Sequence, residues 1–365
     1  MTRDQKPATE ALVFMVKGLF RKWKQPLCYF LSCVSTGSTK LSQLLLDCIV
    51  RLQEVGIIVK VVVCDQGANN RGMFANLNIS IDKPFVEINS RKVYFMYDPP
   101  HLLKSVRNNF KRYPVQLAGG GIARWDHVKK LFDLDSSHKL RLTPKLKLSH
   151  ILLNGFKEMN VRLAAQVLSH SVGVGISFYV NTLDHQLPRE AMVTAEFVLR
   201  MDRIFDSVNA SNFKDLKLDR RPITSSSYHV AFWDESVKWL RAIKFVGSKA
   251  RIYCVDGWQL TLTAMKLLWQ DVESLPGVAF LAPRRVNQDC LESYFASIRQ
   301  KGGFRDNPSC SHFRSTMRQC VANKLLTSCS GGNTVAMSND DGILLSLTAL
   351  ARNTDSTAKE LSPAW

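Results

Sequence analysis

Apolar and polar positions along this chain fall into blocks of two periods, and those blocks predict an alternation of strands and helices. ALVFMVKGLF and QPLCYFLSC form two apolar segments joined by Arg21-Lys22-Trp23-Lys24, the pattern of an antiparallel hairpin with a basic, aromatic connection. Thr36-Gly37-Ser38 then offers a helix start. Leu41, Leu44, Leu45, Cys48, Ile49 and Leu52 recur at helical spacing up to Gly56. Ile57 to Asn70, IIVKVVVCDQGANN, is a β-branched run that ends in a carboxylate and turns into polar and glycine residues. Its density of Val and Ile predicts an inner strand buried on both faces. Asn69 to Asn76 suggests a short helix. Lys92 to Tyr97 predicts a second strand, ending at Asp98-Pro99-Pro100-His101. Proline is tolerated in a first helical turn and not inside, so a helix is expected there, with Leu102, Leu103, Val106 and Phe110 as its apolar face.

The order hairpin, helix, strand, helix, strand, helix describes an α/β layer. Its carboxylate-bearing strands are expected to run parallel, each reached by a helical crossover, with the hairpin making the sheet mixed. After Tyr113 the pattern changes. Gly119-Gly120-Gly121 reads as a flexible joint, and from Trp125 to about Gly247 β-branched strands are scarce and helical spacing dominates. A further helix is expected from Gln259 to about Val272. Leu291, Phe295 and Ile298 then give one face of a helix that begins near Asp289 and stops at Gly302-Gly303. Phe313, Met317, Cys320, Val321 and Leu325 give another. Four parts follow from this: residues 1–115 as the first part of an α/β core, 116–250 as a helical insertion, 251–327 as the return to the core, and 328–365 as a polar tail, mostly disordered, with one short helix near Leu344 to Leu350.

Composition narrows the class. The net charge is +18 over 365 residues, with hydrophobic content of 45%. An ordinary core with so large a positive excess points first to nucleic acid as partner. A membrane surface is the alternative. The basic residues are spread through folded-looking segments, no basic amphipathic tail stands out, and no apolar run is expected to reach membrane length. Nine cysteines without a CxxC pair read as reduced thiols rather than a disulfide frame or zinc site. With no apolar leader in MTRDQKPATE, an intracellular protein is expected, and a nuclear one if DNA is the partner.

Three carboxylates stand where catalysis is plausible: Asp65 and Asp98 at strand ends, and Glu292 on a helix. Phosphoryl transfer by two metal ions needs carboxylates that converge on a magnesium pair, because magnesium prefers hard oxygen ligands. The spacing alone is equally what helix caps produce: Asp65 ahead of a helix, and Asp289-x-x-Glu292 as a capping box. His101 could touch a phosphate beside the metals or bond a helix N-terminus. Thr36-Gly37-Ser38-Thr39-Lys40 resembles the end of a Walker A loop but lacks its leading glycine, and reads as chance.

As a set, ALVFMVKGL, KWKQPLCYF, VVVCDQGANN, YDPPHLLKSVRNN, KEMNVRLAAQVLS, FDSVN and NQDCLESYFASIRQKGG resemble the P element transposase family, including the THAP-domain transposase-like proteins of animals. The matching pieces lie in family order and run from about Ala11 to Gly303. The resemblance implies an α/β RNase H-like mixed sheet interrupted by an all-α insertion that binds GTP in the P element enzyme. It implies metal-dependent cleavage and joining of DNA, with DNA at transposon ends and target as partner, magnesium as cofactor, and homo-oligomers among complete relatives.

Carried over by position, Asp65 resembles the second acid of the DDE triad and Glu292 the third, both then metal ligands. His101 resembles a histidine that follows the next strand in related enzymes. Phe205 and Asp206 resemble a guanine-recognising pair, with Asn209 in the same FDSVN motif. Val161 and Ser169 lie in another matching patch, Lys145 would meet a phosphate, and Asp289 the nucleotide's magnesium. Asn160 stands where the family pattern has lysine, which puts phosphate binding in doubt. No counterpart of the family's first strand and first acid precedes the hairpin, nor does a THAP zinc finger. A truncated member is therefore expected, inactive or nearly so alone. Two other functions fit the same residues: a transposase-derived DNA-binding or regulatory protein without catalysis, and a guanine nucleotide-binding module.

Overall fold

The computed structural model describes residues 6–182, 186–301 and 307–322. The expected stop at Gly302-Gly303, Leu325, the tail and its helix near Leu344 lie outside the described residues. In chain order the elements are β1 (Glu10–Lys17), β2 (Lys24–Ser32), α1 (Ser38–Glu54), β3 (Val61–Cys64), α2 (Ala68–Asn76), β4 (Phe85–Ile88), β5 (Arg91–Tyr97) and α3 (Pro99–Arg112). A helical series follows: β6 (Val115–Gln116), β7 (Ile122–Ala123), α4 (Trp125–Ser136), α5 (Leu148–Ile151), α6 (Val161–Val167), α7 (His170–Asn181), α8 (Ala191–Val208), α9 (His229–Ala242) and β8 (Lys244–Phe245). The chain continues through α10 (Tyr253–Val272), α11 (Asp289–Lys301) and α12 (Cys310–Ala322).

Two compact units result. Among the described residues, one comprises the chain up to Thr36 together with α11 and α12; the other is Gly37–Gln288. In the first, β1 and β2 pair as the expected antiparallel hairpin, with a register irregularity between Phe14 and Met15. Val13 of the hairpin, Tyr294 and Ile298 of α11, and Phe313, Met317 and Cys320 of α12 form one buried cluster. Tyr29 packs edge-to-face on Phe313 at 5.4 Å between ring centroids, a geometry favoured by aromatic quadrupoles. Two stretches far apart in sequence, the hairpin and the α11–α12 pair, thus share one small core.

The larger unit holds a three-stranded sheet in the order β3-β5-β4. β3 and β5 run parallel, as their helical crossovers require. β4 is antiparallel to β5. The sheet is mixed as expected, and within this unit it is β4 that makes it so. The burial expectation is corrected. β5, flanked on both sides, is the inner strand, and Val93–Tyr97 are buried, whereas Val61, Val62 and Val63 of β3 are only half-buried. Strand β3 has one neighbour in its sheet, and a β-branched run records strand propensity more faithfully than it records position.

α3 begins as read. Asp98 is its N-cap, the two prolines fill the first turn, and Leu102, Leu103, Val106 and Phe110 are buried. The helical middle packs chiefly α7 against α8, and it is closed by a small sheet in the order β7-β6-β8. The insertion is thus not helical throughout, and two-residue strands leave no alternating pattern to read. Gly119-Gly120-Gly121 is not a joint but the turn between β6 and β7, with Gly120 at φ +80° donating its N–H to the Leu117 carbonyl. Val161–Asn181 is long and apolar enough, by length and composition alone, to cross a membrane. It is two helices, α6 and α7, separated at Leu168 and Ser169, and half of it is buried against the rest of the bundle.

Candidate functional site

The parallel pairing of β3 and β5 decides what meets at their carboxyl ends. Cys64 is in register with Tyr97, and the Asp98 N–H donates to the Cys64 carbonyl at 2.8 Å. The next residues of both strands, Asp65 on one side and the start of α3 on the other, therefore open onto the same place. This is the edge where open α/β sheets put ligands.

Asp65 is exposed there. Its Oδ1 accepts from the Gly67 N–H and from Asn70 Nδ2, each at 2.8 Å. Both donors lie at the start of α2, so Asp65 holds that turn with one oxygen. Its Oδ2 accepts no bond among the described residues. The capping role and an outward-facing carboxylate oxygen coexist. Asp98 is different. It is 1% exposed. Its Oδ2 accepts from the His101 N–H at 3.1 Å, and its Oδ1 accepts from the Gln288 N–H at 2.8 Å. These bonds make Asp98 the N-cap of α3, a structural role that stands beside the catalytic one expected from the sequence. His101 sits in the first turn of α3, its Nδ1 at 3.5 Å from Asp98 Oδ2.

Asp65 and His101 line one cleft of about 350 Å³, whose other walls include Gln66, Arg71, Lys104 and Tyr253. Arg71, Lys104 and Tyr253 were not singled out in the sequence. Lys104 lies inside the YDPPHLLKSV motif and could have been, whereas nothing marks Tyr253 at the start of α10. The interior behind the cleft disfavours charge: burial pushes the Cys64 thiol well above its ordinary value, reinforced by Asp65 and Asp98.

Glu292 and Asp289 lie in the smaller unit, both in the first turn of α11. Negative charge is favoured there by the helix dipole. Asp65 and Glu292 thus belong to different compact units. Hard carboxylate oxygens suit magnesium. Among the described residues, however, no group of three or more His, Cys, Asp or Glu converges as a metal set.

The nucleotide-type residues are distributed around the insertion. Phe205 and Asp206 lie near the end of α8, 8% and 4% exposed, and Asn209 caps that helix with its N–H on the Asp206 carbonyl. Val161 opens α6 and is buried. Ser169 caps α7, accepting from the Val172 N–H. Lys145 is exposed on the segment after α4. That segment is folded around buried Asp135, which accepts from the N–H groups of Leu142 and Thr143, from Thr143 Oγ1 and from Arg141 Nε.

Asp206 Oδ2 accepts from Lys217 Nζ at 3.0 Å, and its Oδ1 pairs with Arg220 Nε at 2.9 Å. Burial, with Asp202 nearby, still pushes the Asp206 carboxyl above its ordinary value. A guanine edge needs an open carboxylate and an open ring face. As placed, Asp206 and Phe205 offer neither, and Lys217 and Arg220 occupy the acceptor.

An α/β core that carries an acid at a strand end, and is interrupted by a helical insertion, is the architecture of an RNase H-like fold with an inserted domain. Family models place it more closely. Residues 1–78 match a TNP-like RNase H N-terminal domain, residues 100–221 a TNP-like GTP-binding insertion domain, and residues 285–318 a TNP-like RNase H C-terminal domain. The chain belongs to the P element transposase family. It is 25% identical over 333 residues to the human DNA transposase THAP9, covering 85% of this chain and 36% of that protein. It is 23% identical over 324 residues to the Drosophila melanogaster transposable element P transposase, covering 86% of this chain and 41% of that protein. It therefore spans well under half the length of these relatives. The Drosophila P element transposase strand transfer complex shares its fold with a TM-score of 0.74 at 20% identity, over 86% of this chain and 74% of that one.

Proposed function

We propose that this chain is part of the catalytic core of a P element-type transposase, acting on DNA by metal-dependent cleavage and strand transfer, with at most a low rate expected of it alone. The observation that carries this reading is the shared cleft of Asp65 and His101 at the carboxyl ends of adjacent parallel strands. By resemblance to the family's acids, Asp65, whose Oδ2 accepts no bond among the described residues, and Glu292 on α11 are each candidates to hold divalent metal. Bound there, the metal would supply Lewis-acid stabilisation of charge on the reacting phosphate. His101 would orient a phosphate oxygen or leaving group by hydrogen bonding. Asp98 fixes the α3 turn that carries His101. The net charge of +18 supports DNA as the partner, in the nucleus.

The test is strand transfer of a pre-cut element-end oligonucleotide into target DNA with magnesium. Asp65→Ala and Glu292→Ala should each reduce it at least about 100-fold, the scale on which charge stabilisation contributes to catalysis. His101→Ala should leave a lower but measurable rate. Transfer that is indifferent to both acid substitutions overturns the reading. No transfer, combined with salt-dependent DNA binding, favours a non-catalytic DNA-binding role.

A second reading is guanine nucleotide binding by the insertion. The match of residues 100–221 to a GTP-binding insertion domain favours it. Base recognition by Asp206 would require Lys217 and Arg220 to leave its carboxylate. Phosphate contact would fall to Lys145, and Asn160, which caps α6 through the Leu163 N–H, supplies no cation there. GTP should then be preferred over ATP, and Asp206→Ala should abolish the preference. Equal binding of both nucleotides rules this out.

A further inference from the structure

Beside Asp65 and His101, the cleft holds a guanidinium that the carboxylate chemistry does not use. Arg71 on α2 donates through Nη1 to the Gln66 carbonyl at 2.7 Å. Its guanidinium carbon lies 4.1 Å from the ring centroid of Tyr253. Gln66 in turn donates from Nε2 to the Tyr253 carbonyl at 2.7 Å. Gln66, Arg71 and Tyr253 thus close a ring of contacts next to Asp65. Among the described residues no carboxylate lies within ion-pair distance of Arg71, so most of its N–H donors have no acceptor. Arg251, also on the cleft wall, is committed: it donates from Nε and Nη2 to Asp256 Oδ2 at 3.0 and 2.7 Å.

A cation that merely staples α2 to α10 would satisfy its charge with a carboxylate, as Arg251 does. Arg71 instead has its guanidinium over a ring that is itself 41% exposed. Its Nη1 is held by the Gln66 carbonyl before any ligand arrives. A pre-oriented, planar guanidinium loses little freedom on binding, and its fork matches two oxygens of one phosphate. At about 350 Å³ the cleft is at the small end of ligand sites. That is room for about one nucleotide unit.

We propose that Arg71, positioned by Tyr253 and Gln66, binds a backbone phosphate of a single DNA strand beside the phosphate presented to Asp65. Lys104 on the same wall adds positive charge to that strand's path. The proposal rests on the DNA-transfer reading and names a contact within it.

The test measures the affinity of the purified protein for a single-stranded DNA oligonucleotide across a salt series, for wild type, Arg71→Ala, Arg71→Lys, Tyr253→Leu and Arg251→Ala. Loss of one phosphate contact lowers the slope of log affinity against log salt by about 0.7 for a single strand. Arg71→Ala should show that drop. Arg71→Lys should regain the slope but not the full affinity, because a point charge lacks the fork. Tyr253→Leu should weaken affinity with the slope retained, and Arg251→Ala, whose guanidinium also lies over the Tyr253 ring at 5.5 Å but is paired with Asp256, should leave the slope unchanged and weaken affinity no more than Tyr253→Leu. An unchanged slope in Arg71→Ala, even with a lowered melting temperature, overturns the proposal and leaves Arg71 a staple. If strand transfer depends on Asp65 and Glu292 while that slope is unchanged, the function stands and this contact falls. If wild type shows no salt-dependent DNA binding, both fall.

Discussion

The carboxylate of Asp98 accepts the backbone N–H of Gln288 at 2.8 Å, across a sequence separation of 190 residues. It ties the end of the inner strand β5 to the last residue of the larger unit. The same side chain caps α3 through the His101 N–H. Losing an N-cap costs about 1 kcal/mol, and a buried N–H left without an acceptor costs about 1–3 kcal/mol more. Asp98→Ala should therefore destabilise the fold by about 2–4 kcal/mol, read as a lower denaturant midpoint at unchanged slope. Asp98→Asn keeps one carbonyl acceptor and should cost less. A loss of DNA transfer at full stability would instead assign Asp98 a catalytic role.

Arg107 is fully buried in α3 and donates from Nη2 to the carbonyl of Glu158 at 2.9 Å, with Lys157 and Asn160 carbonyls at 3.4 Å. Burial holds its guanidinium down to about 10, although Glu158 opposes the shift. It is the anchor of the irregular turn that leads into α6. Arg107→Met should cost about 1.5–3 kcal/mol, the scale of losing a hydrogen bond from a charged donor. Hydrogen exchange should quicken first in residues 153–160. Uniform quickening across α3 and β5 would contradict a local anchor.

The parts of this structure that were legible are those where one residue type has one physical solution. Asp98-Pro99-Pro100 starts a helix almost irrespective of context, and the apolar face of α3 follows from period 3.6. β4 was invisible, because FVEI is four residues long and its turn to β5 is Asn89-Ser90, both at positive φ. That is the geometry of a tight hairpin without the glycine that usually marks it. Asp65 and His101 were legible as site residues because strand ends and helix starts can be placed. Tyr253 was not, since its role comes from α10 passing Gln66, a tertiary fact. Likewise Lys217 and Arg220 lie in an irregular stretch that carries no period, and nothing there announced that they would cover Asp206.

Gly257 in α10 is where that passage is tightest. A Cβ added there would lie 2.4 Å from Gln66 Nε2 and 2.6 Å from Leu102 Cδ2. Gly257→Ala must displace the Gln66 amide that holds the Tyr253 carbonyl. Overpacking of this kind typically costs about 1–3 kcal/mol. The further expectation is functional: single-strand affinity should fall in Gly257→Ala much as in Tyr253→Leu, although the substituted atom touches no DNA. Full affinity with an intact fold would show that Gln66 does not position Tyr253.

Two buried histidines set the expected pH dependence. His229 is 1% exposed, and burial pushes its pKa below the ordinary 6.5, against a smaller raising effect of Asp219. His127 is 3% exposed, shares a 2.8 Å contact with Thr194 Oγ1, and is likewise lowered chiefly by burial. Between the depressed folded pKa values and 6.5, the unfolded chain binds more protons than the native one. Stability is therefore full above 6.5 and is lost as pH falls through the folded values. Asp206, with its pKa raised above the ordinary 3.8, works in the opposite sense: its contribution is lost as pH rises through its folded value. The histidine loss should begin first on acidification from neutrality, because its window starts at 6.5. Urea midpoints taken between about pH 7.5 and 5, the range in which histidine titrates, should decline for wild type. The decline should flatten in His229→Gln, which cannot take up a proton. A decline of equal steepness in that variant would assign the acid sensitivity to other groups, with His127 the next to substitute.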